Sequence, residues 1–233
     1  MTRPAAGFLA ILLAACSDFT TTEGGIARLD VAAPVPAEVE LGGSVTLRAA
    51  ALDGNGDTLD IPIYWRALDT TLSVDSVAGR VTGLTAGQPG RVVARAVDLY
   101  SNVITFSVLH PVDTVIRVSD SSVSVAAGET ASPELVARVD AGDPPTPVQG
   151  RRLTYQVVEP VFGSLDDRTV EFAGGVLAIS PRSSALGTPE QPVTLRRRNG
   201  RTQPDTAVVD VHVYRPDGTV VAGSGFRFYV LFN

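Results

Sequence analysis

Short runs in which apolar and polar residues alternate, each closed by glycine, proline or asparagine, restrict this chain to a β architecture more than any other feature. Side chains of an extended strand point to opposite faces in turn, so within Ser44 to Leu52 the residues Val45, Leu47 and Ala49 share one face. A loop, Asp53-Gly54-Asn55-Gly56-Asp57, leads into Ile61 to Ala67. Leu72 to Asp75, a turn at Ala78-Gly79, Arg80 to Leu84, a turn at Gly87 and Gly90 to Val97 follow at the same rhythm. About seven short strands at this spacing predict a β-sandwich. No segment of useful length repeats its apolar residues with the period of a helix.

After Leu109-His110-Pro111 the pattern restarts. Val123 to Val125, Ala127-Gly128 and Glu134 to Asp140 echo Glu38 to Leu41, Gly42-Gly43 and Ser44 to Asp53, a weak internal repeat that predicts a second sandwich of related kind. Gly142 to Gly150 holds Pro144, Pro145 and Pro147 and must be a loop. Strands are expected at Leu153 to Val158, Val170 to Phe172, Val176 to Ile179 and Val193 to Arg197. A closing hairpin is expected from Ala207 to Tyr214, through Pro216-Asp217-Gly218, to Phe226 to Phe232. In its first strand Val209, Val211 and Val213 share a face, which leaves Asp210, His212 and Tyr214 on the other.

The N-terminus has a different character. One positive residue, Arg3, precedes an unbroken small-apolar run from Ala5 to Ala15, the two parts of a secretory signal peptide. The run is too short to span a bilayer, which takes about 20 apolar residues. Leu13, Ala14, Ala15 and Cys16 resemble the lipobox of bacterial lipoproteins. The resemblance implies a leader of residues 1–15, cleavage between Ala15 and Cys16, and diacylglyceryl attachment to the thiol of Cys16. Each buried lipid methylene contributes about 0.8 kcal/mol, so two or three chains would hold the protein on a membrane. The other reading is an ordinary cleaved signal or a buried N-terminal helix with a stray thiol, and Cys16 is the only cysteine. Residues 16–27, with Thr20-Thr21-Thr22 and Gly24-Gly25, read as a flexible tether. Ser17 stands where aspartate often signals retention in the inner membrane, which favours the outer membrane or cell surface.

Residues 28–109 resemble the bacterial immunoglobulin-like group 2 family, the module of intimin- and invasin-type surface proteins. The residues that carry the resemblance are Gly43, Asp53, Gly56, Trp65, Val74-Asp75, Gly79, Val81, Gly83, Gly87 and Val92-Val93-Ala94. Arg66-Ala67-Leu68 departs from the small hydroxyl residues usual after that tryptophan. The resemblance implies an immunoglobulin-like sandwich, and with the internal repeat the expected fold class is all-β: two tandem immunoglobulin-like sandwiches, 28–109 and 111–233. The second half lacks the tryptophan and is longer.

The 19 basic residues are all arginine, against 25 acidic, and loss of the leader removes Arg3 and moves the net charge from −6 to −7. That balance argues against nucleic acid as a general partner. Trp65 reads as a core ring, with a ligand-stacking platform as the alternative. Asp53-x-Asn55-x-Asp57 matches the start of a calcium loop, but Thr58 and Tyr64 stand where such a loop needs glycine and glutamate. A Gly-Asn-Gly turn is the plainer reading, and neither a metal nor a cofactor is expected. His110 and His212 lack metal-ligand spacing, and Asp210 with His212 makes a surface pair without a nucleophile motif. Arg196, Arg197, Arg198 and Arg201 surround Asn199-Gly200, read as a hairpin turn. That cluster is either a contact for an acidic glycan or protein partner, or a charged edge that discourages aggregation.

The expected function is a lipid-anchored cell-envelope protein, not an enzyme, acting as an adhesion or structural module. It would meet the membrane through lipidated Cys16 and an envelope protein or glycan mainly through its distal second module. The alternative is a glycan-binding or hydrolytic accessory lipoprotein with its site in the second module.

Overall fold

The computed structural model describes residues 25–163, 168–198 and 206–233, in which all regular structure is β. The first half contributes β1 (Arg28–Ala32), β2 (Glu38–Glu40), β3 (Ser44–Thr46), β4 (Arg48–Leu52), β5 (Thr58–Leu59), β6 (Tyr64–Ala67), β7 (Leu72–Val74), β8 (Arg80–Gly83), β9 (Pro89–Ala96), β10 (Leu99–Tyr100) and β11 (Ile104–Leu109). The second contributes β12 (Thr114–Arg117), β13 (Ser122–Val125), β14 (Ala137–Ala141), β15 (Thr146–Pro147), β16 (Thr154–Glu159), β17 (Val170–Phe172), β18 (Ala178–Ile179), β19 (Leu195–Arg197), β20 (Thr206–His212) and β21 (Phe226–Phe232).

In the first module the sheets are β1-β4-β5, β3-β8-β7 and β10-β9-β11-β2, with β6 on the other side of β9. Ser44 to Leu52 does not run as one strand. Leu47, buried and bonded through its N–H to the Gly79 carbonyl, is the point where the chain passes from the β3 sheet to the β4 sheet. The alternation still puts Val45, Leu47 and Ala49 against a single core with Trp65, Leu72, Val81, Val92 and Phe106. Full burial of a side chain of this kind contributes about 1.5–3 kcal/mol. The packed region starts at Ile26 and not at Arg28: Ile26 is buried with Ala51 and Ala96, and the Ala27 N–H donates to the Leu52 carbonyl. Of the residues that composition assigns to the tether, Ile26 therefore belongs to the core and Ala27, itself exposed, extends the pairing through its backbone.

Trp65 is 6% exposed and sits opposite Ala94 in the β6–β9 register, its N–H bonded to the Ser76 carbonyl. Gly79, at φ +68°, closes over the ring; a Cβ there would stand 2.7 Å from Trp65 Nε1 and 2.9 Å from the Leu47 carbonyl. Asp75 caps that turn by accepting the N–H groups of Ala78 (2.8 Å) and Val77 (2.9 Å), which hold its carboxyl below the usual range.

The second module repeats the plan. In the first, β1 pairs antiparallel with β4, and β2 runs parallel to the last strand, β11; in the second, β12 pairs antiparallel with β14, and β13 runs parallel to the last strand, β21. The echo between Glu38–Gly43 and Val123–Gly128 thus has a counterpart in the pairing. The sheets are β13-β21-β20-β16-β18, β12-β14-β15 and β17-β19, around a core that includes Tyr155, Phe172, Leu195, Val209, Val211 and Phe228. The closing hairpin forms as expected, with Val209, Val211 and Val213 buried. Arginines 196 to 198 do not open a hairpin into β20, however. β19 pairs with β17, and β20 pairs with β16 and β21; the expected turn at Asn199-Gly200 lies outside the described residues.

Candidate functional site

The most heavily charged site is the joint between the modules. Strand β2 lies at a sheet edge and alternates Glu38, Val39, Glu40; Val39 enters the core, so both carboxylates project from the opposite face. Four arginines of the second module meet them. Arg182 Nη2 donates to Glu38 Oε1 at 2.9 Å, with Arg152 Nε 3.8 Å from the same oxygen. Arg215 Nη1 donates to Glu40 Oε2 at 3.2 Å. Arg151 Nη2 lies 2.8 Å from Glu40 Oε1, an ion pair without hydrogen-bond alignment, so that oxygen and Arg151 Nη1 are buried with no hydrogen-bond partner.

Arg151 is 1% exposed, and Ser183 fixes its backbone by accepting the Arg151 N–H and donating to the Val148 carbonyl. Burial pulls the Arg151 guanidinium below its ordinary value, and the charges of Glu40 and then Glu38 oppose that. Burying such ions costs free energy that only their mutual attraction offsets, so the cluster is stable with both sides present and costly with one removed. Beside it, a cleft of about 1040 Å³ is lined by Leu109, His110 and Pro111 with Gln88, Gln149 and Arg182.

Of the residues singled out in the sequence, Ala15, Cys16 and Arg201 lie outside the described residues. Arg196, about half exposed, donates to Glu171 Oε1 at 3.0 Å. Arg197 stacks 5.0 Å from the centroid of Phe232, and its Nη2 donates to the Phe232 carbonyl at 3.4 Å. With Arg198 and Thr130 they line a hollow of about 320 Å³. The structure therefore keeps these three arginines together but commits Arg196 and Arg197 to contacts within the module.

His212 Nε2 is 4.0 Å from Asp210 Oδ2, and Asp210 Oδ1 accepts from Arg227 Nε at 2.9 Å, with Tyr214 stacked against the imidazole. The carboxylate is thus shared with an arginine. Asp53 Oδ1 accepts the N–H groups of Asp57 and Asn55, both at 2.9 Å, and these bonds hold its carboxyl below the usual range. Its acceptor capacity goes to closing the β4–β5 turn. Among the described residues no group of three or more histidine, cysteine or acidic side chains is placed to hold a metal ion.

One arrangement had no signal in the linear sequence. Register sets Tyr64 of β6 and Tyr100 of β10 directly opposite Arg95 of β9, one on each side, on the face turned away from the core. They come from three separate stretches, and only the pairing of β9 with both neighbours brings them together.

Comparison with solved structures finds similarity to modules of several other proteins. Over 91% of its length it is similar to the adhesin InvE of Yersinia pseudotuberculosis, at 16% identity and a TM-score of 0.40, and it spans 61% of that chain. Over 89% it is similar to domains 4 and 5 of the S-layer protein SbsC, at 14% identity, a TM-score of 0.32 and 98% of that chain. Over 88% it is similar to the fibronectin(III)-like modules of Clostridium thermocellum CbhA, at 16% identity, a TM-score of 0.36 and 94% of that chain. No protein-family model and no curated protein matches the chain.

Proposed function

We propose that this chain is a lipid-anchored protein of the bacterial cell envelope, on the outer membrane or cell surface, whose two sandwiches act as a non-enzymatic adhesion or structural unit. The leader of residues 1–15 is removed, Cys16 carries the lipid, and residues 28–109 form a group 2 immunoglobulin-like module followed by a divergent second one over 111–233. The observation that carries the reading is the joint. Two sandwiches with separate cores are tied by Glu38 and Glu40 to Arg151, Arg182 and Arg215, which couples the modules as a spacer or adhesive stalk requires. The partner is an envelope protein or glycan, and Arg196, Arg197, Arg198 and Arg201 form the proposed contact in the second module.

The experiment is metabolic labelling with palmitate in cells making the wild type and Cys16→Ala, followed by membrane fractionation. The expected result is label on the wild type alone, with the variant uncleaved or mislocalised. Label that persists on Cys16→Ala overturns the anchor.

A further inference from the structure

We infer that the outer sheet face of the first module is a binding platform for an acidic polysaccharide, with Arg95 held between Tyr64 and Tyr100 as its centre. The two tyrosines are 53% and 52% exposed. They flank Arg95 on neighbouring strands, so they stand two interstrand steps, about 9.5 Å, apart. A ring face at each end suits the C–H faces of successive sugar rings, because aromatic side chains present flat apolar area with little conformational freedom to lose.

Arg95 is fixed before any ligand arrives. Ala96 pairs with Leu99, which leaves Val97-Asp98 as a two-residue hairpin loop. Such loops demand a positive φ at their first position and normally place glycine or asparagine there. Here a β-branched residue accepts the strain: Val97 has φ 51°, the only non-glycine among the described residues with a positive φ. Strain of this kind concentrates at binding sites, and here it positions the turn that holds the guanidinium. Arg95 Nε donates to the Val97 carbonyl at 2.7 Å, Nη2 to Asp98 Oδ1 at 3.3 Å, and Arg95 Cζ sits 5.5 Å from the centroid of Tyr100. Three of its five N–H groups remain for a ligand carboxylate.

Charge chooses the class of partner. The outward positions of β6 and β9 include Arg66, Arg91 and Arg95 and no carboxylate; Asp69 pairs with Arg91 and Asp98 with Arg95, while Arg66 has no ion-pair partner among the described residues. A locally positive, ring-bearing face on a chain of net charge −6 attracts an acidic chain against the molecule's own background. Stacking rings with arginine also suit single-stranded nucleic acid. The exported location proposed above favours the glycan, and to that extent the inference rests on that reading.

The test is calorimetric titration of the purified full-length chain in mild detergent with hexagalacturonate, with neutral maltohexaose and oligodeoxythymidylate as comparison ligands. Binding is read on purified protein, so it does not depend on whether Cys16 is acylated, and failure here leaves the labelling result untouched. Hexagalacturonate is expected to bind, more weakly as salt is added. Arg95→Gln should lower its affinity about tenfold or more, and Tyr64→Ala and Tyr100→Ala about fivefold each. All three should melt with the wild type, since the side chains are exposed. No binding of hexagalacturonate, equal binding of maltohexaose, tighter binding of oligodeoxythymidylate, or affinity unchanged in the three variants would each overturn the proposal.

Discussion

Trp65 and Tyr155 hold the same place in the two modules. Each is the second residue of the strand that pairs with the partner of the module's last strand, β6 on β9 and β16 on β20, and each points into its core. Trp65 fills the space by bulk, under Gly79. Tyr155 is completely buried, and its hydroxyl accepts the Ala137 N–H at 3.1 Å from β14 in the opposite sheet. One module closes its centre by volume and the other by a polar tie between sheets. The tryptophan at the centre of the first module therefore has a tyrosine as its counterpart in the second, although both share one strand plan.

The sharpest way to break this comparison is Trp65→Ala. Truncating a buried aromatic costs about 3–5 kcal/mol, a large share of the 5–15 kcal/mol of a typical domain. The first module should unfold at much lower urea by circular dichroism, with the second module's transition retained. A midpoint equal to wild type would place the ring outside the core. Next comes Glu40→Gln at the joint. It leaves Arg151 buried with a single nearby carboxylate, a loss of about 3 kcal/mol, and the unfolding transitions of the two modules should separate further. The double variant Glu40→Gln/Arg151→Met should cost less than the sum of its parts, because the two side chains act as a unit. Strict additivity would show that the modules are not coupled through this pair.

Local pattern carried most of the fold and little of the joint. The alternation through Val209, Val211 and Val213 and the echo of Glu38–Gly43 in Val123–Gly128 were legible, because period and turn residues are properties of neighbouring positions. Alternation in Glu38-Val39-Glu40 could have revealed half of the joint, two acids on one strand face. Its other half comes from Arg151, Arg152, Arg182 and Arg215, more than 100 positions away and in no common pattern, so only the packed structure joins them. The same limit hid Tyr64, Arg95 and Tyr100, whose meeting depends on strand register. Turn chemistry is likewise local, whereas the choice of partner strand is not: nothing in the residues of β19 announces its pairing with β17.

Tyr155→Phe sharpens the comparison with a smaller effect. The ring stays and the hydroxyl goes, leaving the buried Ala137 N–H without that acceptor, at about 1–3 kcal/mol. The pH dependence reports the burial of this hydroxyl, because the Ala137 N–H that it accepts acts against the upward shift. Burial raises the Tyr155 phenol above its ordinary value of 10.0, so the folded chain keeps it neutral after the unfolded chain has begun to ionise. Its contribution is complete below pH 10 and is lost as pH rises further, since the unfolded state then releases the proton first. Wild type should lose stability on the alkaline side more steeply than Tyr155→Phe in urea titrations at successive pH values. Parallel alkaline limbs would mean that the hydroxyl is hydrated rather than buried.

The smallest expected effect on stability is at Arg196, and that smallness makes it informative about the second module's surface. Arg196 and Glu171 form an ion pair with the arginine about half exposed, and such pairs contribute about 0–1 kcal/mol. Arg196→Gln should leave the melt of the second module where it was, so any change in partner recovery reports contact and not folding. If the arginines of β19 meet an acidic envelope partner, recovery from envelope extract should fall in Arg196→Gln and the wild type should lose the partner as salt is raised. Arg95→Gln on the first module provides the parallel measurement on a face whose arginine is held by a turn instead of by a neighbouring strand's carboxylate. Loss of recovery in Arg196→Gln with Arg95→Gln unaffected assigns recognition to the second module. The reverse result assigns it to the first, and the three arginines of β19 and its end then serve as a charged edge that keeps sheets from pairing between molecules.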